Sequence, residues 1–158
     1  MFRLRDYTPA DATPTLALFK DTIRRVNCRD YTAEQIAVWA ADEIPVEPWH
    51  QKLMSRRTLI AETASEPAIM AGFTDLERNG HLDRFFVSAN YQRRGVGRML
   101  LSGVIAQARA WQLDHLFTEA SITARPFFLA HGFREIRNNL VVVRGVALLN
   151  YLLERPLP

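Results

Sequence analysis

His81 and Asp83 stand two residues apart in HLDRFFV, residues 81–87. A histidine titrates near neutrality and can take a proton from an amine or a hydroxyl. In an extended chain, side chains two apart share a face, so Asp83 can hold the imidazole or attract a cation. If no bulge intervenes, His81, Asp83, Phe85 and Val87 all lie on that face. The plain alternative is a solvated histidine beside the Asn79-Gly80 turn. Further on, RRGVGRMLL places Gly95 and Gly97 where a helix begins. From Gly97 the positions Leu100, Leu101, Val104, Ile105 and Ala108 fall on one helical face. The first N–H groups of a helix have no internal partner, and its dipole puts partial positive charge there. Glycine lets such a backbone close on an anion, so a phosphate or pyrophosphate is the expected ligand. A Walker A loop would end Gly-Lys-Ser/Thr, whereas this turn reads Gly-Arg-Met. A dinucleotide fingerprint would have glycine where Leu100 stands.

The elements that must position these groups can be read along the chain. FRLRDY is an alternating strand, and ADATPTLALFKDTIRRVN a helix opening near Thr13 and Pro14. YTAEQIAVWA is a short helix with Thr32 as N-cap, and PWHQKLMS adds a turn or two. TLIAET and AIMAGFTDL are strands, and Asn79-Gly80 turns the second into HLDRFFV. A helix runs from the glycines to about Trp111. HLFTEA is a strand, ARPFFLAH a short helix closed by Gly132, and FREIRNNLVVV and VALLNYLLER form a terminal hairpin around Arg144-Gly145. The pattern is α+β in three layers, a mixed and mostly antiparallel sheet with about four helices.

The 158 residues favour one domain spanning 1–158. Apolar residues at 48% and charged residues at 23% describe an ordinary globular chain with a core of its own. A net charge of +3 without a basic block argues against nucleic acid as partner. No apolar run approaches the roughly 18 residues of a membrane helix, and the start has no secretory apolar stretch. One cysteine, Cys28, excludes an internal disulfide and fits a cytoplasmic setting. No His/Cys/Asp/Glu group has metal-ligand spacing, so no metal is expected.

Two segments carry a resemblance. Gln92-Arg93-Arg94-Gly95-Val96-Gly97 resembles the R/Q-x-x-G-x-G/A signature of the GCN5-related N-acetyltransferases (GNAT). SITARPFFLAHGF, residues 121–133, is similar to that family's N-x-x-A-x-x-F-Y-x-x-x-G-F segment. Serine replaces asparagine at 121 and phenylalanine replaces tyrosine at 128. The element order agrees over nearly the whole chain, and SITARPFF with the AEQIAVWA helix is most similar to the YafP-like bacterial branch.

The resemblance implies a seven-stranded sheet splayed between its fourth and fifth strands, with acetyl-CoA as cosubstrate in the gap. Arg93, Arg94, Gly95, Val96, Gly97 and Arg98 would wrap its pyrophosphate through their N–H groups, with Gln92 ordering the loop. The backbones of Phe85, Phe86 and Val87 would hold the pantetheine arm, Val87 N–H polarising the thioester carbonyl. Ser121 and Phe128 would lie beside the cofactor. His81 and Asp83 match positions where family members place a general base for direct attack by a primary amine in a ternary complex. Phe128 has no proton for the departing thiolate, which leaves Tyr151, Ser121 and Thr123 as candidates. Ser121 more simply orders its turn and Thr123 caps the next helix. Tyr31, Trp39, Trp49 and Tyr151 are candidates for the acceptor site, in a region made acidic by Glu34, Asp42, Glu43 and Glu47. A homodimer through the terminal strands is a further expectation. The missing tyrosine also admits a non-catalytic, CoA-sensing or partner-binding protein on this fold.

Overall fold

The computed structural model describes residues 1–158. Seven strands and five α-helices follow in the order β1 (Phe2–Asp6), α1 (Ala12–Arg25), α2 (Ala33–Trp39), α3 (Val46–Met54), β2 (Arg57–Thr63), β3 (Met70–Leu76), β4 (Leu82–Val87), α4 (Val96–Ala110), β5 (His115–Ser121), α5 (Arg125–Ala130), β6 (Arg134–Val143) and β7 (Val146–Pro156). Single 3-10 turns occupy Pro9–Asp11, Asn27–Arg29 and Ala89–Tyr91.

Local chemistry explains the helix starts. Thr32 caps α2 with a reciprocal box: Gln35 N–H donates to Thr32 Oγ1 (3.2 Å) and Thr32 N–H to Gln35 Oε1 (2.8 Å). α1 begins at Ala12, one residue earlier than Thr13, directly after the turn in which the Asp11 carboxylate accepts from Thr8 N–H (2.8 Å) and from Arg5 (2.7 Å). α3 is longer than PWHQKLMS implies. Pro48 falls in its first turn, where a missing N–H costs nothing, so the helix extends back to Val46.

The strands form two antiparallel sheets, ordered β1-β2-β3-β4 and β5-β7-β6. Their strand-to-strand join is one parallel bridge, His81 to Phe117. Phe117 N–H donates to Gly80 carbonyl (3.0 Å), and Thr118 Oγ1 donates to Leu82 carbonyl (2.7 Å). Beyond that point β4 and β5 separate. β2 and β3 are buried along nearly their full length, because α1 and α3 cover one face and α4 the other. Ile23, Ile60 and Phe73 in the first layer, and Leu82, Leu100 and Leu153 in the second, lose all solvent contact. Each contributes roughly 1.5–3 kcal/mol by burial. No helix is long and apolar enough to cross a membrane.

Candidate active site

The splay leaves a cleft of about 1480 Å³ between the two sheets. β4 forms one wall, and its pairing decides what that wall offers. Thr74 stands opposite Phe85 but Leu76 stands opposite Leu82, so Asp83 and Arg84 together face Asp75. This is a β-bulge, and it breaks the simple alternation from His81 to Val87. Leu82 and Phe85 turn to the α4–α5 side, whereas Phe86 joins Phe19, Trp39 and Phe73 on the α1 side. The fully buried Asp75 carboxylate holds the bulge. It accepts from Arg84 N–H (2.8 Å), from Arg56 Nη1 (2.8 Å) and from Arg84 Nη1 (3.2 Å).

Ser88 N–H donates to Ala71 carbonyl at 2.8 Å. In an antiparallel ladder, bonded and non-bonded pairs alternate. Phe86 therefore points its backbone groups at β3, while Phe85 and Val87 point theirs into the gap that β5 has vacated. The Val87 carbonyl confirms the direction: it accepts from Gln92 Nε2 (2.8 Å) and from Thr22 Oγ1 (3.2 Å). Two N–H donors thus lie along the open edge, and Gln92 ties the following loop to the strand.

That loop curls through left-handed conformations at Arg93 (φ 60°) and Gly95 (φ 88°) before α4 begins at Val96. Turns of this kind can bring successive N–H groups to one side, a geometry suited to an anion. Nothing lies within 4 Å of where a Cβ on Gly95 would sit, so glycine there serves the backbone angle. Gly97 has another purpose. A Cβ on it would meet the Phe127 ring at 3.0 Å, so it seats α5 against α4. No side chain caps the start of α4. Arg93 and Arg98 line the cleft here with Arg25, whereas Arg94 turns away over the Tyr91 ring (5.6 Å).

At the other end of β4, six residues or roughly 20 Å away, the charge is reversed. His81 Nδ1 faces Glu77 Oε1 at 3.0 Å, its Nε2 faces Glu119 Oε2 at 2.5 Å, and its ring stacks on Phe117. The hydrogen bond the ring donates to Glu119, with that to Glu77, outweighs burial and pushes the imidazole up to about 9. Asp83 is paired with Arg56 (2.5 Å) and Arg84 (3.3 Å), which hold its carboxyl below the ordinary range against the opposing effect of burial. His81, Asp83, Glu119, Phe85, Phe86 and Val87 all line the one cleft. Glu119, on β5, had no signal in its own neighbourhood; it reaches His81 through the parallel bridge between strands.

Tyr31 and Trp39 also line the cleft, their rings 5.3 Å apart. Tyr31 hydroxyl donates to Leu149 carbonyl (2.6 Å) and accepts from Ile122 N–H (2.9 Å), pinning the α1–α2 connection onto the second sheet. Trp49 lies elsewhere. It is buried against Phe19 and Phe73, and its indole N–H donates to Thr15 Oγ1 (3.0 Å). Tyr151 is also outside the cleft: its neighbour Asn150 faces inward, and Tyr151 packs on the opposite face under Arg125 (4.8 Å). Ser121 Oγ accepts from Ala124 N–H (3.0 Å) and from Asn27 (3.3 Å), ordering its turn. Thr123 does not cap α5; its hydroxyl donates to Asp30 (2.7 Å) across the cleft mouth. Phe128 is fully packed among Phe85, Phe127 and Phe133.

A family model for the acetyltransferase (GNAT) domain matches residues 27–155, and the chain belongs to that family of acetyltransferases. It is 31% identical over 150 residues to the uncharacterized N-acetyltransferase YafP of Escherichia coli, covering 94% of this chain and 92% of that protein. Among solved structures it is similar to a GCN5-related N-acetyltransferase from Rhodopseudomonas palustris, with TM-score 0.93, 30% identity, and 98% and 95% of the two chains covered. The fold is also that of the PaiA N-acetyltransferase from Thermoplasma acidophilum, solved in complex with coenzyme A (TM-score 0.81, 14% identity, 99% of each chain).

Proposed function

We propose that this acetyltransferase moves an acetyl group from acetyl-CoA to a primary amine by direct attack in a ternary complex. The observation that carries the reading is the polarity of one cleft. An uncapped helix start with Arg25, Arg93 and Arg98 stands at one end, a histidine among carboxylates at the other, and free strand N–H groups lie between. The fit to acetyl-CoA follows from those donors. The N–H groups from Arg93 to Arg98 hold the pyrophosphate, mainly through the main chain. Val87 N–H, nearer the loop, holds the pantetheine arm, and Phe85 N–H, the free donor nearer His81 across the bulge, polarises the thioester carbonyl in place of Val87, a contribution of about 3 kcal/mol for one well-aimed donor. Phe86 acts through its backbone position alone, its ring being core. When bound, acetyl-CoA supplies an acyl thioester, an electrophile that needs only a neutral amine.

His81 takes the amine proton. Asp83, engaged by two guanidiniums, fixes the wall and its charge. Because His81 titrates near 9, only about one part in a hundred is neutral at pH 7, so kcat/KM rises with pH up to about 9. Phe128 supplies no proton, and the thiolate leaves unassisted from that position. Calorimetry with acetyl-CoA tests the cofactor site; no heat with folded protein at millimolar ligand overturns the reading. Release of free thiol from acetyl-CoA across an amine panel tests transfer.

A further inference from the structure

Four carboxylates surround Arg56, Arg84 and His81, and three of them have a guanidinium. Asp75 and Asp83 take Arg56 and Arg84, and Glu77 takes Arg56 at 3.0 Å. Glu119 has none. Its one cationic partner is the His81 imidazole, which engages Oε2. Its second oxygen accepts no hydrogen bond from another residue, and the side chain is 39% exposed on the cleft wall. The cluster is therefore short of one positive charge while His81 is protonated and of two once His81 is neutral. The shortfall falls at Glu119, the carboxylate reached by no arginine.

An amine acceptor arrives as an ammonium ion. We propose that Glu119 docks that ammonium. This rests on the acetyl-transfer reading above. The groups facing His81 are Glu77 and Asp83 from its own hairpin, Glu119 from β5, and Arg56 behind Glu77; His115 stacks on the far side of Phe117. A second cation placed on Glu119 competes with the imidazolium for the same carboxylate and drives its proton to solvent. Docking the acceptor and producing the base become one event. The neutral ring then accepts a proton from the ammonium, and the nitrogen lone pair forms the N–C bond as the C–S bond breaks. Over the cycle, an ammonium and acetyl-CoA become an amide, the CoA thiol and one proton.

Two measurements on the whole chain decide the matter. The first needs no acceptor: NMR titration of His81 in wild type, Glu119→Gln and Glu119→Asp. The midpoint should fall from about 9 by at least one pH unit in Glu119→Gln and fall less in Glu119→Asp. An unmoved midpoint in a folded Glu119→Gln protein overturns the proposal. The second compares primary alkylamines with arylamines as acceptors at pH 7.5. Glu119→Gln should raise the alkylamine KM about tenfold, the loss of one charge-assisted contact at a half-exposed site, and leave the acetyl-CoA KM unchanged. An unchanged alkylamine KM, or wild-type activity confined to arylamines, overturns the docking role alone. Failure of wild type to bind acetyl-CoA overturns the transfer reading instead.

Discussion

Raising the pH should weaken the fold through one side chain. The carboxylates of Glu119 and Glu77 raise His81 from 6.5 to about 9 in the folded protein. A group whose pKa rises on folding stabilises the fold fully below its unfolded value, here below about pH 6.5. That stabilisation is lost as pH rises through the folded value near 9. A displacement of this size corresponds to about 3 kcal/mol. Solvent reaches Glu119 (39% exposed) and Glu77 (31%), and screening reduces the figure to about 1–2 kcal/mol. The assay is urea unfolding of wild type and His81→Gln at pH 6 and pH 9.5. Groups that titrate equally in both proteins cancel in the difference. The wild-type advantage should shrink by 1–2 kcal/mol between the two pH values, a movement of up to about 1 M in midpoint. A difference that stays constant with pH refutes the linkage and, with it, the view that the two carboxylates hold the ring charged.

Other outcomes follow from particular contacts. Asp83→Asn should lower kcat less than tenfold, because Arg56 and Arg84 keep Asp75, whereas His81→Gln should lower it by about a hundredfold or more; stopped assays at pH 8.5 separate the two. Gly95→Ala has room for its methyl but must adopt φ near 88°, so it should cost about 1–2 kcal/mol in denaturation and weaken acetyl-CoA binding in calorimetry. Trp49→Phe should lose the bond to Thr15 and about 1–2 kcal/mol of stability while leaving the acceptor KM unchanged. An altered KM would return Trp49 to the acceptor site.

What could be read from the chain was what depends on near neighbours. The Thr32 cap, the turn at Gly80 and the helix face after Gly97 are each written within a few residues, and each stands in the structure. The bulge in β4 could enter only as a proviso, because its cause, Asp75, comes from another strand. Tyr31, Trp39 and Trp49 are alike as aromatic residues on or beside short helices. They differ only in whether the sheet edge beneath them is open or covered, which is a property of the splay. Tyr151 was misplaced by parity: the β7 register sets Asn150, not Tyr151, opposite Ser121 on the cleft side. Glu119 lies 38 positions from His81 and meets it because β5 arrives parallel at a single bridge. Gly97 shows the converse: singled out as a glycine for an anion at a helix start, it has the Phe127 ring as its immediate reason in the structure.

The bridge between His81 and Phe117 has a mechanical meaning. The two sheets part from this point as the arms of a pair of tongs part from their rivet. Any rotation of one arm against the other displaces each group in proportion to its distance from the rivet. The loop at Gly95 sits far out along one arm, where a small angle opens or closes a wide mouth. His81 and Glu119 sit at the rivet, where the same angle moves almost nothing. A long ligand lying between the arms therefore has its outer end where the gap is wide and its inner end where the bridge sets the spacing of His81 and Glu119.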